Sequence, residues 1–282
     1  MCLDRHVADN GTQARSEIRR LLDAHGHRPT KAYGQNFLTD PNIVRRLIDA
    51  ADLDADSLVV EIGAGTGAMT AVMARRVRIV VAYEVDESLA PVLAETIGGF
   101  ENVDLRFGDA SKIDLGETLG EGQWTLVANL PYNVGTGIVL DVLQHAPDVK
   151  KIVVMVQREV ADRLLADAGT KTYGLPSVTT GLHAVGRFAF SVPRQVFEPV
   201  PRVDSAVIVL DRVDAPPLSA RAVELAAAGF GQRRKMLRRS LSGVLPYAEH
   251  ALNEAGIDPT TRPEQLEPND FVRLALAEER TA

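Results

Sequence analysis

The strand-like run Val59–Ile62 passes directly into a turn with glycines at positions 63, 65 and 67, and this feature limits the possible folds most strongly. Glycine tolerates positive φ and lets a ligand approach the backbone, so a strand, a glycine turn and a helix in this order are typical of a nucleotide-binding unit. Glu84 ends the next strand-like run, where a carboxylate can accept hydrogen bonds from both hydroxyls of a ribose. The pattern predicts an α/β fold.

Short β-branched runs alternate with helical patterns along the first half of the chain. We predict strands at 57–62, 78–84, 103–107, 124–129 and 150–156, and helices at about 68–77, 87–97, 137–146 and 157–167. This alternation indicates βαβ units and a mostly parallel sheet. Three later strand-like runs, 177–185, 189–196 and 203–210, have no long helices between them and predict an antiparallel edge.

Helical segments are expected before and after these strands in the chain. The sequence predicts a short helix at 16–25, and Asp40-Pro41 predicts the start of another, with Asp40 as its N-cap. After Pro216-Pro217, helices are predicted at 218–229, 232–242, 247–255 and 268–280. The predicted organisation is an N-terminal extension with a short helix (1–30), an α/β domain (31–212) and a small all-helical C-terminal domain (213–282).

Composition narrows the chemistry. The single cysteine, Cys2, and six scattered histidines lack metal-ligand spacing, so neither a metal nor a catalytic thiol is expected. No apolar run approaches the ~20 residues that span a bilayer, and the first residues lack the apolar centre of a secretion signal. We therefore expect a cytoplasmic protein.

Positive charge is concentrated in one predicted helix, although the net charge is −7. The cluster consists of Arg233, Arg234, Lys235, Arg238 and Arg239. Such a cluster can neutralise nucleic-acid phosphates whatever the charge of the whole chain. An ordinary solvated helix face is the alternative, and the charges alone do not decide between the two.

Polar side chains also follow two further predicted strands. Asp109 comes after the strand at 103–107, where it can accept from the amino group of an adenine, and Asn129 ends the strand at 124–129. Pro131 biases Leu130 toward extended backbone, so an amide and a free carbonyl could accept from an exocyclic amine while Tyr132 stacks on the ring. For each residue alone, a turn or a helix cap is the commoner role. Together they predict a ligand cleft, because the carboxyl ends of parallel strands meet at one edge.

The GxGxG spacing after an acidic residue resembles motif I of class I S-adenosylmethionine-dependent methyltransferases. Four further segments extend the resemblance, over nearly the whole chain, to the KsgA/RsmA family of small-subunit ribosomal RNA adenine dimethyltransferases. They are Tyr33–Leu38 (FGQNFL in the family), Asn129–Tyr132 (NLPY), Val200–Ala206 (PPPKVDSAV) and Phe230–Leu241 (FxxRRKxLRNxL). Five motifs in the family's order make coincidence a poor explanation.

The resemblance implies a class I, Rossmann-like methyltransferase with S-adenosylmethionine as methyl donor and no metal. The family's cofactor contacts fall on Asn36, Leu38, Gly63, Gly65, Glu84, Asp109 and Asn129, and its catalytic pocket on Asn129, Leu130, Pro131 and Tyr132. The implied reaction dimethylates N6 of two adjacent adenosines in a hairpin loop near the 3′ end of 16S rRNA in the 30S particle. A monomer with a role in small-subunit biogenesis is expected, and the basic cluster is expected to bind the RNA. Ala64, Thr66 and residues 133–136 depart from the family pattern and put fine pocket shape in doubt.

Three alternatives stay open. Erm-type methyltransferases of large-subunit rRNA share the GQNF loop and the Asn-x-Pro-Tyr box, although Leu130 and the last two motifs favour the small-subunit type. A non-catalytic ribosome-assembly factor could keep the fold, but intact Glu84, Asp109 and Asn129 argue against it. A nicotinamide-dependent oxidoreductase is disfavoured by the glycine spacing.

Overall fold

The computed structural model describes residues 13–30 and 33–281. The expectation for Cys2 lies outside the described residues. The described α-helices are α1 (Arg15–Ala24), α2 (Pro41–Asp49), α3 (Ala68–Ala74), α4 (Ala90–Ile97), α5 (Leu115–Thr118), α6 (Gly135–His145), α7 (Arg158–Leu164), α8 (Leu175–His183), α9 (Ser219–Gly231), α10 (Leu237–Ser240), α11 (Ala248–Glu254) and α12 (Pro268–Thr281). The described strands are β1 (Phe37–Leu38), β2 (Leu58–Ile62), β3 (Ile79–Glu84), β4 (Val103–Phe107), β5 (Trp124–Asn129), β6 (Val149–Gln157), β7 (Ala184–Val192), β8 (Phe197–Glu198) and β9 (Ser205–Arg212).

Seven strands form the main sheet in the order β4-β3-β2-β5-β6-β9-β7. Strands β2 to β6 pair in parallel, and Glu61 lies opposite Ala82 on one side and Val127 on the other. This register brings the carboxyl ends of β2, β3 and β5 to one edge of the sheet. The predicted α/β class, with a mostly parallel sheet and an antiparallel edge, is confirmed. A small antiparallel pair, β1 with β8, sets Leu38 opposite Phe197.

Two compact units can be distinguished by their internal packing. The first comprises Met1–Arg158 and Phe188–Val209, and the second comprises Glu159–Arg187 and Leu210–Ala282. One core cluster of the first unit combines one face of the central strands, including Val59 and Val127, with helices such as α2, which buries Ile43 and Leu47. Asp40 caps α2 by accepting from the Asn42 backbone N–H at 2.8 Å, as the sequence predicts.

The second unit is a helical cluster around Tyr173, Leu225 and Phe271, all of which are fully buried. It includes Glu159–Arg187, which the predicted boundaries assigned to the α/β domain. The reason is packing, since Val178 of α8 lies in the helical core. The second change of unit, at Leu210, falls close to the predicted boundary at 212.

The strand predicted at 177–185 is wrong, because this segment forms helix α8 up to His183. Its β-branched residues, Val178, Thr179 and Thr180, produced the strand signal. The Ser177 hydroxyl accepts from the Gly174 backbone N–H at 3.1 Å and fixes the start of the helix. Most of this helix is buried, including the four consecutive residues from Ser177 to Thr180, and its packing outweighs their modest β-propensity.

The continuous basic helix predicted at 232–242 is also wrong. Helix α9 ends at Gly231, a turn follows, and only the short α10 is helical within the predicted range. Backbone N–H groups of Gln232 and Lys235 close this turn by donating to Gly229 and Gln232 carbonyls at 3.0 and 2.8 Å. The five basic residues of the cluster therefore lie partly in a non-helical turn and partly in the short helix α10.

Candidate functional site

A cleft opens at the carboxyl edge of β2, β3 and β5. It holds about 720 Å³ of space, with open solvent at its mouth included. The loop before β1, the glycine turn after β2 and the segment after β5 form its walls. The cleft brings together most of the predicted site residues: Asn36, Leu38, Gly63, Gly65, Glu84, Asn129, Leu130, Pro131 and Tyr132.

The glycine turn needs its glycines for both conformation and space. Gly63, Gly65 and Gly67 all have left-handed φ values, of 84°, 57° and 77°. A Cβ on Gly67 would lie 2.6 Å from the Thr96 hydroxyl oxygen, and one on Gly65 would lie 3.3 Å from the ring of Phe37. The turn is therefore fixed with its backbone lining the cleft.

Glu84, the last residue of β3, is buried and tied to the glycine turn. Its Oε2 accepts from the Gly65 N–H at 2.8 Å, and its Oε1 accepts from the Asp86 N–H at 2.9 Å. Burial raises the pKa of this carboxyl, while backbone hydrogen bonds from Asp86, Gly65 and Val85 oppose that rise. Each carboxylate oxygen retains acceptor capacity toward the cleft, which suits a pair of ribose hydroxyls.

Glu61 is a cleft residue to which the sequence analysis gave no role. It is 1% exposed, and its Oε2 accepts from the Thr70 hydroxyl at 2.5 Å. Burial raises the pKa of Glu61 to about 8; the Thr70 bond lowers it, and the nearby Glu84 raises it further. At neutral pH this side chain is mainly protonated. The sequence signal that could have identified Glu61 is its position as the single acidic residue in the otherwise apolar strand β2.

Asp109 lines a separate, adjoining slot. The slot shares Gly63, Val85 and Pro131 with the main cleft and holds about 330 Å³, with open solvent at its mouth included. Hydrogen bonds from Ser111 and then from Lys112 lower the pKa of Asp109, so the carboxylate is ionised. An apolar slot with a carboxylate at its wall suits a flat ring that carries an amine. Binding of the cofactor's adenine by Asp109 stays a prediction.

The Asn129 amide is oriented by the loop that faces it. Its Nδ2 donates to the Asn36 backbone carbonyl at 3.1 Å, and the Asn36 side chain in turn donates to the Gly34 carbonyl at 2.9 Å. With the amide nitrogen held in this way, the Asn129 Oδ1 atom remains to accept from a ligand.

The backbone carbonyls of Leu130 and Pro131 differ in their availability to a ligand. The Pro131 oxygen already accepts from the Val134 and Gly135 N–H groups, at 3.2 and 2.9 Å, where α6 begins. Leu130 is anchored by its own N–H, which donates to the Met155 carbonyl at 3.1 Å. The Leu130 carbonyl is therefore the better acceptor for an incoming amine.

Tyr132 completes the wall of the cleft with its ring. Its hydroxyl lies 2.7 Å from the Ser205 hydroxyl oxygen, and Ser205 is fully buried. Burial raises the pKa of Tyr132, so the phenol stays neutral. The ring is thereby fixed at its polar end and can stack on a flat ligand.

The basic cluster lies in the second unit and is only partly engaged. Arg233 donates to the Lys171 carbonyl at 3.2 Å, and Arg238 lies 4.0 Å from Glu249. Within the described part of the chain, no hydrogen bond or ion pair is found for the side chains of Arg234, Lys235 and Arg239, which are exposed. These three are free to meet phosphates.

Two general features of the described residues bear on function. Among residues 13–30 and 33–281, no group of three or more His, Cys, Asp or Glu side chains could hold a metal ion. In the same part of the chain, every helix is too short or too polar to cross a membrane.

Comparison with known proteins gives consistent matches. The family model described as ribosomal RNA adenine dimethylase matches residues 26–278. The chain is 44% identical over 267 residues to ribosomal RNA small subunit methyltransferase A of Kineococcus radiotolerans. This match covers 92% of this chain and 89% of the relative. The chain is 40% identical over 275 residues to the protein of the same name from Geobacillus thermodenitrificans, with 92% and 94% covered.

Two solved structures share most of the fold. A dimethyladenosine transferase from Plasmodium falciparum superposes with a TM-score of 0.74 at 25% identity, covering 86% of this chain and 98% of that one. The 23S rRNA methyltransferase ErmE superposes with a TM-score of 0.65 at 28% identity, covering 86% and 100%.

Proposed function

The chain belongs to the ribosomal RNA adenine dimethylase family, and from this premise we propose that it dimethylates adenosines of small-subunit rRNA. The donor is S-adenosylmethionine, and the acceptors are the N6 atoms of two adjacent adenosines in a hairpin loop near the 3′ end of 16S rRNA in the 30S particle. The observation that supports this most strongly is the cleft, which unites a ribose-type carboxylate with an amine-accepting amide and a stacking ring.

The residues of the cleft and the adjoining slot fit the proposed methyl donor. Glu84 would accept the ribose hydroxyls, Asp109 would accept from the adenine amine, and Gly63 and Gly65 would let the donor approach the backbone. Asn36 and Leu38 line the opposite wall. Bound S-adenosylmethionine supplies an electrophilic sulfonium methyl group.

The acceptor side must make a poor nucleophile reactive. The adenine N6 lone pair is delocalised into the ring, so the amine has to be turned out of the ring plane. Asn129 Oδ1 and the Leu130 carbonyl would accept the two N6 hydrogens and stabilise that geometry. Tyr132 would stack on the base, which contributes about 1–3 kcal/mol. The methylated nitrogen then loses its proton to water, so a dedicated base is not needed.

The same chemistry restricts the RNA. N6 of a paired adenine takes part in the base pair, so the target must be unpaired or turned out of the helix. A hairpin loop meets this requirement. The exposed cations Arg234, Lys235 and Arg239, with Arg233 and Arg238 beside them, would bind flanking phosphates.

A second candidate is N6 methylation of large-subunit rRNA, which the similarity to ErmE favours. The relatives with 40–44% identity over 92% of this chain carry the small-subunit name, and they favour the first candidate. The two functions differ in the RNA that is modified.

The test is to incubate the protein with labelled S-adenosylmethionine and either undermethylated 30S particles or 23S rRNA. Digestion to nucleosides should yield N6,N6-dimethyladenosine from the 30S particles alone. Label in 23S rRNA would support the second candidate, and label in neither RNA would contradict both.

A further inference from the structure

The loop that carries Asn36 is held by the side chain of its neighbour, Gln35. The Gln35 Oε1 atom accepts from the Thr30 N–H at 2.7 Å, while its Nε2 donates to Asp86 Oδ2, also at 2.7 Å. One amide therefore closes the loop on itself and attaches it to the segment after β3.

Asp86 is a firm anchor for this amide. It is 6% exposed, and its Oδ1 accepts from the Ser88 N–H at 3.1 Å and from the Ser88 hydroxyl at 2.6 Å. Burial raises the pKa of Asp86, but the hydrogen bonds from Ser88 and Gln35 outweigh it, and the net direction is down. The acceptor is thus ionised, and hydrogen bonds to an ionised group are stronger than neutral ones.

His27 packs against the same anchor. Its ring is buried, its Nδ1 lies 3.0 Å from the Ser88 hydroxyl oxygen, and its Nε2 lies 3.9 Å from Asp86 Oδ2. The ring also meets Phe37 edge-on, with centroids 6.3 Å apart. Asp86 is therefore enclosed, and Gln35 is the partner that connects it to the loop.

This attachment reaches both sides of the cleft. On the cofactor side, the Asp86 N–H donates to Glu84 Oε1 at 2.9 Å. On the acceptor side, Asn36 follows Gln35 directly, and its carbonyl accepts from the Asn129 amide at 3.1 Å. Movement of Gln35 would shift that carbonyl and release the amide.

We infer that Gln35 and Asp86 are positioning residues for methyl transfer: their hydrogen bond holds the Asn36 carbonyl, which aims Asn129 Oδ1 at the acceptor amine. The inference rests on the proposed function, because it assumes the acceptor role of Asn129. It assigns the GQNF loop a mechanical task, to hold the acceptor amide in place, whereas Glu84 is held by the Asp86 backbone N–H, which does not depend on Gln35.

The pair allows a reciprocal exchange of donor and acceptor. Gln35→Glu alone places two carboxylates against each other. Asp86→Asn alone leaves the Gln35 NH₂ group without an acceptor, because the one remaining oxygen at position 86 accepts from Ser88. In the double variant, the carboxylate introduced at position 35 can accept from both the Thr30 N–H and the new amide at position 86, whose oxygen still accepts from Ser88. A double-mutant cycle therefore isolates this contact.

The experiment measures kcat on 30S particles and the Kd of S-adenosylmethionine for wild type, both single variants, the double variant and Gln35→Ala. Gln144→Ala, an exposed glutamine on α6, serves as the matched control. We expect kcat to fall about ten-fold in each single variant and in Gln35→Ala, which is the scale of one lost charge-assisted hydrogen bond. The cofactor Kd should change by less than about three-fold, and the double variant should regain most of the lost kcat.

Two results would overturn the inference: a double variant no faster than the slower single variant, or loss of cofactor affinity equal to the loss of kcat. Thermal unfolding shows whether a variant has failed to fold. If the wild type were inactive on every rRNA, the proposed function would fail separately. The NMR signals of the Asn129 side-chain amide would then still test the contact, since they should move in Gln35→Ala and unchanged signals would refute it.

Discussion

The cleft of the first unit and the basic cluster of the second unit use polar residues in opposite ways. In the cleft, Glu84 and Asn129 are held by hydrogen bonds at 2.8–3.1 Å before any ligand arrives. In the basic cluster, Arg234, Lys235 and Arg239 are exposed, and the described residues offer them no partner. The proposed function therefore assigns recognition of a small ring to fixed geometry and recognition of phosphates to charge that can adapt.

The energetics of the two regions should differ accordingly. Removing one group from a prearranged site eliminates stabilisation that acts at the transition state and costs orders of magnitude in rate. Removing one exposed cation costs little by itself, and the loss depends on salt. The predictions below test this contrast, beginning with the largest expected effect.

Asn129→Ala should reduce methyl transfer by at least ten-fold, and on the order of 100-fold if the amide acts only at the transition state. Binding of S-adenosylmethionine should remain detectable by calorimetry, because the loss falls on the acceptor side. Product formation on 30S particles is the measurement, with the exposed Asn253→Ala as control. Near-normal turnover would remove the proposed role of Asn129.

Glu84→Ala should weaken S-adenosylmethionine binding by at least about ten-fold, since hydrogen bonds to a charged acceptor contribute roughly 1.5–3 kcal/mol each. Calorimetric titration of the purified variant measures this loss directly. RNA affinity should not change, which separates the cleft from the basic cluster. Unchanged cofactor affinity would eliminate the ribose assignment.

Joint replacement of Arg234, Lys235 and Arg239 by alanine should weaken RNA binding by about ten-fold at moderate salt. The slope of log affinity against log salt should fall by roughly 2, or about 0.7 for each single-strand phosphate contact. Filter binding over a salt series measures both quantities. A control with three other exposed cations removed, Arg28, Lys150 and Arg280, should keep the wild-type slope; equal slopes in both variants would refute a specific role.

The smallest effect on turnover is expected for Glu61→Gln, which instead changes how stability depends on pH. The pKa of Glu61 is raised by burial from 4.5 to about 8, so between these values the folded protein holds a proton that the unfolded chain has released. The free energy of unfolding should therefore fall with rising pH across this window, by about 1.4 kcal/mol per pH unit from this group. Urea unfolding at pH 5 and pH 8 should show a flatter dependence in the variant; an identical dependence would contradict the assignment.

The sequence predicted the cleft well because its polar residues are fixed by strand position. Glu84 and Asn129 end the parallel strands on either side of β2, and the sheet register alone brings them to one edge. The prediction failed where burial decides: α8 was read as a strand from its β-branched residues, and the basic cluster as one helix. Glu61 gave no signal of its protonation, and the bond between Gln35 and Asp86 joins segments that only the folded chain brings together.

The most direct test of the two proposed roles, phosphate binding by the basic cluster and methyl transfer in the cleft, is a single-turnover assay. Methyl transfer is measured at saturating 30S particles and saturating S-adenosylmethionine. With RNA saturating, the variant that lacks Arg234, Lys235 and Arg239 should recover a rate within about three-fold of wild type, because its defect lies in phosphate binding. Asn129→Ala should stay at least ten-fold slow under the same conditions, since its defect lies in the chemical step. Recovery of Asn129→Ala, or a persistent defect in the charge variant, would contradict this account.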